Sequence, residues 1–128
     1  MPAIESQIWK GAGLTIDRSH SETEGTVFRF SGPFTAHGMY AILSPEAMRN
    51  LFECIPGAEQ PPVHLFDLTD VPYMDSLGLG MLASHYVRCQ SQGIQFTITG
   101  ASHRVRQLFQ LTKMDTVLPI ASSPIQPG

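Results

Sequence analysis

Apolar residues fall into short alternating runs separated by stretches with helical spacing. Leu14 and Ile16 alternate with polar neighbours, and Val27, Phe28 and Phe30 follow a polar stretch, Asp17 to Gly25. This predicts two strands joined by a hairpin loop, most simply antiparallel. Ser44-Pro45-Glu46 is a helix start, with a capping hydroxyl, a proline at the first helical position and an acid in the first turn. Met48, Leu51, Phe52 and Ile55 then follow the i, i+3, i+4, i+7 rule until Pro56-Gly57. Val63 to Leu68 is a mostly apolar run of strand length. Leu79, Leu82, Ala83, Tyr86 and Val87 form one stripe of a helix from Ser76 to Gln90, with Gly93 placed to end it. Ile94, Phe96 and Ile98 alternate as a strand. Ser102 caps a short helix through Val105, Leu108 and Phe109, and Val117, Leu118 and Ile120 are expected as a last edge strand. Thr35 to Leu43 is apolar but aperiodic and contains Gly38; it fits either a loop with a helical turn or an early start to the next helix.

The order β-β-α-β-α-β-α-β predicts an α/β fold with a mixed sheet whose interior strands are parallel. One domain is expected over residues 12–121. Residues 1–11 read as a loose N-terminal arm onto which Ile8 and Trp9 could pack, and the Pro-rich tail 122–128 reads as disordered.

Composition narrows the function classes. A net charge of -3 with 15% charged residues gives no reason to expect a nucleic-acid or membrane-surface partner. Arg104 and Arg106 flank Val105, but two arginines do not make a phosphate-tracking stripe. No apolar stretch is long enough to span a bilayer, and no signal peptide is evident. Cys54 and Cys89 are the only cysteines and read as reduced thiols of a cytoplasmic protein. The usual catalytic patterns are missing. Gly78-Leu79-Gly80 lacks the third glycine of a dinucleotide site, there is no P-loop, and Ser76 lacks the glycines of a nucleophile elbow. His85 and Cys89 lie one helical turn apart, but two ligands alone do not make a zinc site. No enzyme motif, cofactor motif or metal set is therefore read in the chain.

What remains is the junction between the Val63 to Leu68 strand and the following helix. Asp75 or Ser76 can cap amides that have no partner within the helix. Leu77 and Met81 lie one turn apart on the face opposite Tyr86 and Val87, and Ser84, His85 and Arg88 continue that side. Two readings are open: these apolar residues pack under the Thr35 to Leu43 segment, or they form a contact patch beside an exposed hydroxyl.

At Asp67-Leu68-Thr69-Asp70-Val71-Pro72-Tyr73-Met74-Asp75-Ser76-Leu77-Gly78-Leu79-Gly80 the chain resembles the STAS domain family, in particular bacterial anti-sigma factor antagonists. Phe28-Arg29-Phe30-Ser31-Gly32 and Val105-Arg106-Gln107-Leu108-Phe109-Gln110-Leu111 extend the likeness, which covers roughly residues 12–121. The resemblance implies a mixed four- to five-stranded sheet with helices mainly on one side. It implies a switch that binds an anti-sigma factor serine kinase of the GHKL type, is phosphorylated at the position of Ser76, and is reset by a PP2C-type phosphatase. The residues expected to meet the partner are Thr35, Asp75, Ser76, Leu77, Gly78, Met81, Ser84 and His85. The chain departs from the family pattern at Leu77, where a second serine is usual, and at Thr35, where an acid is usual. These departures leave two alternatives: a STAS accessory subunit, for example of an ABC-type lipid transporter, or a small-molecule module using Tyr40, Tyr73 and Met74.

Overall fold

The computed structural model describes residues 5–11, 13–21, 25–51 and 63–121. Five strands form one sheet in the order β1-β2-β3-β4-β5: β1 (Glu5–Gly11), β2 (Leu14–Ser21), β3 (Gly25–Ser31), β4 (Val63–Asp70) and β5 (Gln95–Thr99). The first three pair antiparallel; β3, β4 and β5 pair parallel. The parallel pairs need crossovers. Two short helices, α1 (Ala36–Ile42) and α2 (Pro45–Leu51), lie between β3 and β4 in sequence, and α3 (Ser76–Gln92) lies between β4 and β5. α4 (His103–Leu111) and a 3-10 turn, Met114–Thr116, complete the described chain. The helices pack on one side of the sheet. No described helix is long and apolar enough to cross a membrane.

Alternation on β4 places His64, Phe66 and Leu68 in the core. Phe28 and Phe30 of β3 and Phe96 and Ile98 of β5 flank them, so the sheet presents an aromatic floor to α3. Several expectations change. Glu5–Gly11 is the edge strand, not a loose arm, because its backbone pairs with β2 along its whole length. Arg18 of β2 stacks over Trp9 at 5.1 Å and donates to the carbonyl oxygen of Leu51 at 2.7 Å, tying β1 and the end of α2 to the sheet. The stretch from Asp17 to Ser21 is strand, paired with Gly25–Arg29, so the hairpin loop is shorter than its polarity suggested. Thr35 to Leu43 resolves as a separate helix, with the Thr35 hydroxyl accepting from Gly38 N at 3.2 Å. Val117 to Ile120 is not a strand: the chain leaves the 3-10 turn and makes one bridge, Ile98 to Ile120. Phe52, Ile55, Pro56-Gly57, Cys54 and the tail 122–128 lie outside the described residues.

Candidate functional site

The site begins with one carboxylate. Beyond β3 and β4 the two chain segments stay side by side: Gly32 N donates to Asp70 O, Phe34 N to Tyr73 O and Asp75 N to Phe34 O, at 2.9, 3.1 and 3.3 Å. This brings Asp75 to the start of two helices at once. Its Oδ1 accepts from Gly78 N at 3.1 Å, capping α3, and its Oδ2 accepts from Ala36 N at 2.9 Å, at the start of α1. Each helix begins with amides that lack an intrahelical acceptor, and one side chain serves both. Partial burial pushes the Asp75 carboxyl up, but backbone donors, Ala36 and Gly78 foremost, outweigh it and hold the group below the ordinary carboxylate range.

Ser76 is the first residue of α3 and is exposed. Beside it runs a groove of about 360 Å3 lined by Ser76, Leu77, Gly80, Met81, Ser84, His85 and Arg88 of α3 and by Met48 of α2. Leu77 and Met81 pack partly against the core and leave the rest of their surface to the groove. A helix end with a free hydroxyl opens here onto an apolar channel with Arg88 at its far end.

The expected partner-facing residues divide. Ser76, Leu77, Met81 and Ser84 share the groove, and His85 reaches it while being 2% exposed. Asp75 and Thr35 stand behind it as helix caps. Gly78 does not face the groove: a Cβ there would lie 2.5 Å from the Phe34 carbonyl oxygen, so it is the contact point of α3 with the β3–α1 junction. The buried line of α3 is Gly78, Leu82, His85 and Cys89, rotated from the expected stripe, and Val87 is exposed. Histidine and cysteine take core positions that a hydrophobicity count assigns to Tyr86 and Val87. Met48 was legible only as a helix-core residue; its place on the groove wall depends on how α2 packs. Met74 is in the core and Tyr73 lies under the Arg104 guanidinium at 4.8 Å. Neither the groove nor a smaller cavity of about 200 Å3 near Arg106 and Asp115 is lined by Tyr40, Tyr73 or Met74.

The model of the STAS domain matches residues 17–124. The chain belongs to the STAS domain family. Within it, this STAS chain is 33% identical over 54 residues to an anti-sigma-B factor antagonist of Listeria monocytogenes, covering 42% of the chain and 47% of that protein. It is 32% identical over 68 residues to the anti-sigma-B factor antagonist of Bacillus subtilis, covering 53% of the chain and 62% of that protein. The aligned part thus spans about half to two thirds of these relatives. The solved structure of an anti-sigma-factor antagonist (STAS) domain protein from Planctomyces limnophilus superposes with a TM-score of 0.66 at 21% identity, over 88% of this chain and 93% of that one. At that identity the likeness establishes the STAS fold alone.

Proposed function

We propose that this STAS domain is an anti-sigma factor antagonist, a cytoplasmic binding switch rather than an enzyme. Its groove takes an anti-sigma factor that is also a GHKL-type serine kinase. The observation that carries this reading is the exposed Ser76 at the first position of α3, bordered by half-buried Leu77 and Met81. Phosphorylation would add about -1.5 to -2 charges there. In the free protein the α3 amides and solvent accommodate that charge. Against a partner seated on Leu77 and Met81, it loses solvent and sits beside the Asp75 carboxylate. Desolvation and like-charge repulsion then release the partner without refolding, and a PP2C-type phosphatase restores binding.

The test is incubation with the candidate kinase and ATP, followed by mass measurement of the peptide that contains Ser76. One phosphate on Ser76, absent in Ser76→Ala, is expected. A chain that binds the kinase tightly yet takes up no phosphate would instead support the accessory-subunit reading. That reading is favoured by Thr35, whose hydroxyl caps α1 where the family usually has an acid.

A further inference from the structure

Behind the groove wall, three side chains with metal-ligating atoms meet inside the protein. His64 Nδ1, on β4, lies 2.9 Å from His85 Nε2 on α3, and Cys89 Sγ, one turn further along α3, lies 3.4 Å from the same nitrogen. All three ligand atoms fall within 4.8 Å of one another, and the three residues are at most 2% exposed. We infer that His64, His85 and Cys89 form a metal site for a borderline cation of the zinc(II) type, which fastens α3 to β4.

Three observations support this inference. First, an imidazole nitrogen offers one in-plane lone pair or one proton, never both. His85 Nε2 therefore makes one good hydrogen bond, yet two donor atoms crowd it, an arrangement that one cation between three lone pairs satisfies. Second, the separations fit. Around a tetrahedral zinc with bonds of about 2.0–2.1 Å to nitrogen and about 2.3 Å to sulfur, N···N is about 3.3 Å and N···S about 3.6 Å. The observed 2.9 and 3.4 Å need an opening of a few tenths of an ångström, and the third pair, His64 Nδ1 and Cys89 Sγ, which lies within 4.8 Å, closes toward about 3.6 Å around the ion. Third, the surroundings suit a soft, dehydrated ion. Phe28, Phe66 and Phe96 enclose the imidazoles at ring separations of 5.3 to 6.2 Å, and the set contains two nitrogens and one sulfur but no oxygen. Such a set selects zinc over magnesium or calcium. His85 also lines the groove, so the cluster lies directly behind the groove wall.

Cobalt(II) is the probe, with its thiolate charge-transfer band as readout. The full chain, freed of metal with EDTA, should bind one equivalent with a tetrahedral visible spectrum, and zinc should displace it while magnesium does not. The band should vanish in Cys89→Ser and His64→Leu and persist in Cys54→Ala. Because the first two variants remove core groups, their fold is checked by circular dichroism. Independently of any variant, zinc should raise the wild-type Tm and magnesium should not. A folded wild type that gives no thiolate band, or a band that survives Cys89→Ser, overturns the site.

Discussion

The two ends of α3 teach different lessons. At its amino end the polar groups face backbone or solvent: Asp75 caps two helices and Ser76 is exposed. Three turns on, polar groups are buried in an aromatic box, where His64 and His85 have each other and Cys89. The first arrangement suits a charge that comes and goes at the surface. The second suits neutral ligands held in place. One helix therefore separates an exposed face, proposed above to meet a partner, from a line that anchors it to the sheet.

The largest effect that tests this division is acid sensitivity of the metal-free chain. Burial, then the positive groups His20 and Arg18, lower His64 to about 4; burial, then His64 and Arg88, lower His85 to about 3. The unfolded chain, with histidines near 6.5, binds these protons first. The stability they contribute is complete above about pH 6.5 and is lost as pH falls through about 4 and then about 3. The loss should be of the order of a few kcal/mol, since one unit corresponds to about 1.4 kcal/mol. Asp75 acts in a lower window. Its folded value lies below 3.8, so its contribution stands above that pH and fades only beneath it. Urea denaturation between pH 7 and 4 should show a slope that His64→Leu flattens and Asp75→Asn does not. The same slope in both variants would merge the two ends of the helix.

Gly78 and Gly80 sharpen the comparison at closer range. They are two residues apart on opposite sides of α3. A Cβ at Gly78 meets backbone at 2.5 Å, whereas one at Gly80 meets nothing within 4 Å. Gly78→Ala should cost about 1–3 kcal/mol by overpacking. Next in size, Asp75→Ala should cost about 0.5–2 kcal/mol through lost capping. Gly80→Ala should stabilise the helix by about 0.5–1 kcal/mol and narrow the groove. Thermal denaturation of the three variants gives the ranking, and a destabilising Gly80→Ala would mean that the groove is not open space.

Much of this was legible in the chain. Alternation in Val27 to Phe30 and Phe96 to Ile98, and the caps at Ser44, Asp75 and Ser102, carry local signals that the structure keeps. The signals failed where partners decide. Glu5–Gly11 lacks a strong pattern and becomes strand only because β2 lies beside it. Leu118 and Ile120 alternate well enough, but the 3-10 turn before them leaves room for a single bridge. For the site, Ser76, Leu77 and Met81 could be placed on one side by helical spacing alone. The inward turn of His85 and Cys89 could not, because it depends on His64 arriving from another element.

The most direct test is the dissociation constant of the anti-sigma partner for unmodified and Ser76-phosphorylated chain, measured side by side by calorimetry. The account predicts at least about tenfold weaker binding after phosphorylation, equivalent to about 1.4 kcal/mol or more. Equal affinity for the two forms would contradict it.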